Sequence, residues 1–312
     1  MRLWHGAKKK LEQMISADKA SKTILVVEGN HEGLVTKASD GSLIGAAERY
    51  GAVLQGLDKN AQITITRPHF AADPAPPVHW PDIKGVVFTG AGVYWQADAD
   101  EAAPARKIME AAFARSLPVF GSCYGMQLGV AVLGGRMQAN PLGPEIAIAR
   151  DIQINDAGQK HALYRNKPAR FDALCMHRDD VLDAGQGLSV LSGNAHCAIQ
   201  AVAAKTPDIC FWGVQYHPEL HFSDIARYLE RSDIEGFSKT SDAIGLNAPA
   251  GLSKDEIVAD FHALNREQYK EEDKERYKEE DEEALKERYS LSPALLKRSV
   301  HECELSNWLA SF

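Results

Sequence analysis

"LPVFGSCYGMQLGVAVL", residues 117–133, joins two apolar runs through a turn bracketed by glycines. The first run, "LPVF", has the composition and length of a buried strand, and "MQLGVAVL" continues as a helix. Gly121 and Gly125 stand two residues before and two residues after Cys123. That is the spacing of a nucleophile elbow, where the central residue takes a strained backbone and side chains at ±2 would collide across the turn. The turn sets Cys123 at a helix N-terminus, where backbone amides and the helix dipole favour thiolate over thiol. A buried cysteine that only fills space is the competing reading of "GSCYGMQ". The rest of the chain must decide between them.

Outward from this turn, strand and helix patterns alternate. "TILVVEGN" (23–30), "AQITITR" (61–67) and "IKGVVFTGAG" (83–92) read as strands, the first and third as buried parallel ones that end in loops. "GSLIGAAERYGAVLQGL" (41–57) and "DEAAPARKIMEAAFARS" (100–116) carry apolar residues at helical spacing, and "AADPAPPVHWPD" (71–82) is a proline-rich surface loop. The pattern predicts an α/β fold, a mostly parallel central sheet with helices on both faces. After residue 146 the rhythm shortens. "IAIARDIQI" (146–154), "LSVLSGN" (188–194), "HCAIQAVAA" (196–204) and "ICFWGVQY" (209–216) predict a more antiparallel extension of the sheet. The compact domain is expected over 23–232, after an N-terminal extension at 1–22 and before a helical, charged C-terminal extension at 233–312. In that extension "YKEED" occurs twice, and opposite charges recur at i,i+3 and i,i+4, which supports a solvated helix. The last stretch, "SPALLKRSVHECELSNWLASF" (292–312), regains apolar residues at helical spacing and is expected to pack on this domain or on another subunit.

Composition narrows the function classes. The 312 residues are 45% apolar and 25% charged, with a formal net charge of −8. That balance favours neither a nucleic-acid backbone nor an anionic membrane surface as partner. The five cysteines, Cys123, Cys175, Cys197, Cys210 and Cys303, form no C-x-x-C pair, which argues against a disulfide framework or a zinc site and for a reducing cytoplasm. The start "MRLWHGAKKKLEQM" lacks the apolar centre of a signal peptide, and no run approaches the length of a membrane span. Neither a phosphate-binding P-loop nor a G-x-G-x-x-G fingerprint occurs, so no cofactor and no metal is expected.

A cysteine nucleophile needs a base, and the base an orienting group. Of eleven histidines, one lies in "WGVQYHPEL" (212–220), at the end of a predicted strand. Pro218 biases His217 towards an extended conformation, in which residues i and i+2 project to one side. Glu219 can then accept the His217 ring N–H.

"GSCYGMQ" together with "GVQYHPE" resembles the class I (triad) glutamine amidotransferases, the glutaminase parts of enzymes such as GMP synthetase. "VVFTGAG", "LGGRM", "GPE" and "MHRDDV" follow the family's order, and the resemblance covers roughly residues 23–220. It implies a flavodoxin-like fold and a Cys123–His217–Glu219 triad. Cys123 would attack the glutamine carboxamide, pass through a γ-glutamyl thioester and release ammonia. It also implies an oxyanion hole from the Tyr124 N–H and that of Gly90 or Ala91, and a glutamine pocket lined by Gln127, His177 and Asp179. The chain departs from the family at Ala91, where a glycine is usual; at Met176, usually serine; and after Glu145, where Ile146 and Ala147 replace x-Gly.

No synthase domain accompanies these motifs. The first functional reading is therefore a glutaminase that supplies ammonia to a separate synthase partner, with glutamine as substrate. The C-terminal extension would serve docking or self-association. The second is a γ-glutamyl hydrolase that uses the same triad on γ-glutamyl amines or peptides. The third is a non-catalytic binding or regulatory module.

Overall fold

A computed structural model describes residues 21–40, 42–71, 78–206, 208–231, 249, 251–268 and 279–312. The expected extension at 1–22 lies outside these residues up to residue 20, and the expected boundary at 232 falls beside the undescribed stretch 232–248.

The longer strands are β1 (Lys22–Val27), β2 (Ala61–Thr66), β3 (Ile83–Phe88), β4 (Pro118–Ser122), β5 (Arg136–Ala139), β6 (Glu145–Ile154), β7 (Arg170–His177), β8 (Asp179–Asp183), β9 (Ser189–Gly193), β10 (Ala201–Lys205) and β11 (Cys210–Val214). Nine of them form one sheet in the order β2-β1-β3-β4-β11-β10-β9-β6-β7. The first five are mutually parallel. The remaining pairings are antiparallel. Strands β5 and β8 form a separate antiparallel ribbon. The fold is therefore the α/β architecture that the sequence predicts, with the antiparallel extension on the side after residue 146.

Strand β1 shows why its run is apolar throughout. Side chains alternate across a strand. Ile24 and Val26 pack with helix α1 (Ala46–Leu57) on one face of the sheet. Leu25 and Val27 pack with α2 (Ala103–Phe113) and α3 (Tyr124–Val132) on the other. Both faces are covered, so none of the four positions Ile24–Val27 can be polar without loss. The register pairs Val27 with Phe88, Phe88 with Gly121 and Ser122 with Val214. The C-terminal ends of β1, β3, β4 and β11 are thus level, and their loops open on one edge, where open α/β sheets bind ligands.

Several local expectations are corrected. The helix expected from residue 41 begins only at Ala46. Leu43–Ile44 instead pairs with Thr36–Lys37, and Gly45 is extended, its N–H held by the Glu48 carboxylate at 2.7 Å. In "HCAIQAVAA" the strand starts at Ala201, because the Asn194 side chain holds the Cys197 N–H in a turn at 2.7 Å.

Helices α4 (Phe222–Arg231) and α5 (Lys254–Gln268) build a third core with Ile146, Ile148 and Leu174 of β6 and β7. Most of the charged repeat, residues 269–278, lies outside the described residues; its end forms α6 (Glu279–Arg288), with exposed pairs such as Arg288–Asp260 at 2.9 Å. The last stretch packs on this same domain. Helix α7 (Cys303–Leu309) shares the α1 face of the sheet, with Leu305 and Trp308 fully buried and Trp308 edge-on to Phe120. Lys22 of β1 donates to the carbonyls of Leu309 and Phe312 at 2.8 and 2.5 Å. Among the described residues no helix is long and apolar enough to cross a membrane.

His301, just before α7, is buried and donates its Nε2–H to the Leu220 carbonyl at 2.7 Å. Burial, helped by the Lys167 and Arg298 cations, pushes its pKa down to about 3 from 6.5. The unfolded chain therefore takes up the proton first, so stability falls as pH drops below about 6.5 and goes on falling towards the folded value. Between pH 7 and pH 5 this one group should cost about 2 kcal/mol. Urea unfolding at both pH values should show a pH 7-to-5 change that is less favourable by about 2 kcal/mol in the native chain than in His301→Gln, which keeps an N–H donor. An equal change in the variant would refute the assignment.

Candidate active site

The elbow is built as its glycines require. Cys123 sits at φ 51° and ψ −108°, directly before the first turn of α3. That is a strained region for a residue with a side chain. A Cβ on Gly121 would lie 2.4 Å from the Gly125 carbonyl carbon, and one on Gly125 would lie 2.3 Å from the Phe88 carbonyl oxygen. The Cys123 N–H donates to the Val214 carbonyl at 2.7 Å, which ties the turn to the end of β11.

His217 follows β11 and meets Cys123 there. Its Nδ1 lies 2.7 Å from Glu219 Oε1, and it borders the same cavity as Cys123. The thiol also lies 3.5 Å from the Met176 carbonyl. All three side chains are buried. Burial alone would push the His217 pKa down, but the Glu219 carboxylate and Cys123 outweigh it and raise it to about 10. The carboxylate stabilises the imidazolium, the state that accompanies a thiolate.

Two residues that sequence reasoning missed extend this line. The Ser122 hydroxyl donates to Glu219 Oε2 at 2.9 Å, and the Tyr50 hydroxyl of α1 lies 2.9 Å from Ser122 Oγ. Both residues are fully buried. Alternation along β4 offered a signal for Ser122, which must point away from its neighbours in the elbow; Tyr50 looks like any apolar residue of a helix face.

The expected oxyanion donors lie where β3 ends. The Tyr124 N–H opens α3, and Gly90 packs against His217 so closely that a Cβ there would sit 2.5 Å from Cε1. The Gly92 N–H is taken by Asn30 Oδ1 at 2.8 Å, which leaves Gly90 and Ala91 as candidates. Ala91 is not among the residues with positive φ, so the alanine strains nothing.

A cavity of about 530 Å³ opens over Cys123 and His217, bordered by Gly90, Ala91, Trp95, Gln127, Met176, Asp179 and Tyr228, among others. Gln127 borders it, but its Nε2 already donates to the Asp179 carbonyl at 2.8 Å. The Asp179 carboxylate is gripped by Arg178, at 3.0 and 2.8 Å. The His177 ring is turned away: Nε2 lies 2.8 Å from Glu145 and Nδ1 lies 3.0 Å from Asp180. Burial opposes its charge, yet the two carboxylates raise its pKa to about 9. It therefore faces the cavity through its backbone.

His177 comes within ligating distance of two groups, Glu145 with Cys175 on one side and Asp180 with Cys197 on the other. Burial pushes both thiols up. Glu145 is also occupied by Asn194 and Gln200 at 2.8 and 2.9 Å. The group reads as a polar network rather than a metal centre.

The fold and this arrangement define an α/β protein with a cysteine on an elbow beside a carboxylate-held histidine. The model of the family "Glutamine amidotransferase class-I" matches residues 56–233, and the chain belongs to that family. A γ-glutamyl-L-1-hydroxyisopropylamide hydrolase of Pseudomonas sp. is 32% identical over 220 residues, 67% of this chain and 71% of that protein. A glutamine-hydrolysing GMP synthase subunit of Methanocaldococcus jannaschii is 27% identical over 139 residues, 45% of this chain and 66% of that one. The solved structure of a glutamine amidotransferase from Methylobacillus flagellatus superposes with a TM-score of 0.60 at 18% identity, over 94% of this chain and 95% of the other, and so shares the fold.

Two substitutions probe this geometry. Ser122→Ala removes a charge-assisted hydrogen bond to Glu219, worth roughly 1.5 kcal/mol or more; turnover of a γ-glutamyl amide should fall about tenfold, with KM nearly unchanged. Gly90→Ala should fold normally by circular dichroism yet lose most turnover, because the new methyl displaces the His217 ring. Full turnover in either variant would contradict the geometry.

Proposed function

We propose that the protein hydrolyses the γ-carboxamide of glutamine and delivers ammonia to a separate synthase partner. The observation that carries the reading is the convergence of Cys123, on its strained turn, with the His217–Glu219 pair 2.7 Å across.

The thiolate of Cys123 attacks the γ-carbonyl carbon, and the carbonyl π electrons move onto oxygen. The Tyr124 N–H and that of Gly90 or Ala91 donate hydrogen bonds to this oxyanion. The His217 imidazolium gives its Nε2 proton to the departing nitrogen as the C–N bond breaks, which leaves a γ-glutamyl thioester and ammonia. Neutral His217 then takes a proton from water, whose oxygen attacks the thioester. Glutamate leaves and the thiolate–imidazolium pair is restored. Glu219 keeps the Nδ1 proton in place throughout and stabilises the imidazolium.

A second reading replaces ammonia by a larger amine. Its support is specific: the Pseudomonas relative, named for hydrolysis of a γ-glutamyl alkylamide, aligns over more of this chain than the GMP synthase relative does. Both readings use the same bond and the same three residues.

Purified protein with glutamine, and separately with γ-glutamyl alkylamides, tests them together. Cys123→Ala should lower release of ammonia or amine at least a thousandfold and leave the fold intact. A kcat/KM for an alkylamide a hundredfold above that for glutamine would favour the second reading. Unchanged turnover in Cys123→Ala would end both.

A further inference from the structure

The segment that carries the proposed base has little backbone support of its own. Residues 215–220 belong to no helix or strand. The His217 N–H is tied to the Leu174 carbonyl at 2.8 Å, which fixes the loop from the β7 side. On the other side the partners come from one short stretch at the end of the chain. Tyr216, immediately before His217, donates its hydroxyl to Glu304 Oε1 at 2.6 Å. Leu220, immediately after Glu219, offers its carbonyl to His301 Nε2–H at 2.7 Å. His221 lies 3.5 Å from Glu302.

Residues 301–304 thus grip His217-Pro218-Glu219 from both ends. The grip is itself held. Lys167 reaches Glu304 at 3.0 Å and donates to the Val300 carbonyl at 2.8 Å. Arg298 holds Glu302 through two contacts, at 2.9 and 3.0 Å. Trp308 anchors the adjoining helix in the sheet core, edge-on to Phe120. Glu304 is fully buried, as is nearly all of the Lys167 side chain. All of residues 298–309 lie beyond the matched family segment, which ends at residue 233.

We infer that the C-terminal segment 298–309 is an intramolecular clamp that positions His217 and Glu219, with Tyr216, His301 and Glu304 as positioning residues. The inference rests on the proposed roles of Cys123 and His217. Two bonds from one rigid turn to the residues flanking a loop fix both its ends, which a contact at either end alone would not do. A small displacement of a base is expensive: positioning errors of the order of 1 Å cost about a hundredfold in rate. The clamp therefore acts on turnover and not on substrate affinity.

The test compares Tyr216→Phe and His301→Ala with His301→Gln and Leu305→Ala in the full-length chain. Tyr216→Phe keeps the ring and loses the bond to Glu304, with the longer contact to the Tyr164 hydroxyl at 3.2 Å; His301→Ala loses the bond to Leu220; His301→Gln keeps a donor. Leu305→Ala weakens the same helix through its core contacts and leaves both bonds in place. At a temperature where all variants are folded, the first two should lose about five- to twentyfold in kcat with KM within twofold. His301→Gln should recover most of that loss, and Leu305→Ala should stay near wild type despite its lower melting temperature. Unchanged kcat in Tyr216→Phe and His301→Ala would overturn the clamp, as would a loss in Leu305→Ala that matches theirs.

The pH profile of iodoacetamide alkylation at Cys123, read by peptide mass spectrometry, needs no substrate. Loosening His217 should shift thiolate formation to higher pH in Tyr216→Phe and His301→Ala. If the wild-type chain turned over neither glutamine nor γ-glutamyl amides, the proposed function would fail. The alkylation profiles would still decide the clamp: a shift in those two variants alone upholds it, and profiles that coincide with wild type refute it.

Discussion

The whole site depends on how closely the chain passes itself at Gly121–Gly125. With 2.4 Å between a would-be Cβ of Gly121 and the Gly125 backbone, no larger residue fits, and the strand can turn into α3 within one residue. That residue, Cys123, carries the strain in its φ of 51°. Strain of this kind costs of order 1–3 kcal/mol and persists only where the surroundings over-determine it. Here the surroundings are the helix N-terminus ahead and the Val214 carbonyl to the side. The bond to Val214 also sets distance: it places the end of β11, and so His217, next to the elbow. One steric constraint and one backbone hydrogen bond bring together residues ninety-odd positions apart in sequence.

Two buried histidines near the cavity differ in what surrounds them. His177 stands between two carboxylates, Glu145 and Asp180, with both ring nitrogens engaged. Nothing in that arrangement can accept or release a proton into the cavity, and the charge serves to hold β6, β7 and β8 together. His217 has a carboxylate on one nitrogen only, and it borders the same cavity as Cys123. The asymmetry is what suits a histidine to move protons. Tyr50 and Ser122 add to it from behind, because a carboxylate in a low-dielectric interior is held in one orientation only when each of its oxygens has a partner.

Much of this could be read from the sequence, for physical reasons that also mark where reading stopped. The parallel half of the sheet was legible because strands buried on both faces leave continuous apolar runs, such as Ile24–Val27. The positions of Cys123, His217 and Glu219 were legible because elbow and His-Pro-Glu spacings are local. The Tyr50–Ser122 link was not, since it joins a helix to a strand seventy-two residues apart and neither residue is unusual where it stands. For His177 the motif gave the position but not the direction of its ring, which depends on Glu145 and Asp180 across two other strands. The packing of the last stretch was legible from its apolar spacing, but the burial of the polar residues His301, Glu302 and Glu304 within it was not. Sequence periodicity reports where charges fall on a helix, not whether Lys167 waits on the other side.

The burial of Glu304 with Lys167 bears on what the end of the chain is for. Taking two charges out of water is costly, and a buried ion pair seldom stabilises a fold more than apolar residues of the same size would. If the last segment served only to cover the sheet, leucines beside Trp308 would do so at lower cost. What apolar residues could not do is define direction. The Glu304 carboxylate fixes the Tyr216 hydroxyl along one line at 2.6 Å, and the His301 imidazole fixes the Leu220 carbonyl at 2.7 Å. Both lines end on the residues that flank His217 and Glu219. Charge is spent here for geometry, at the one loop whose geometry the proposed chemistry cannot do without.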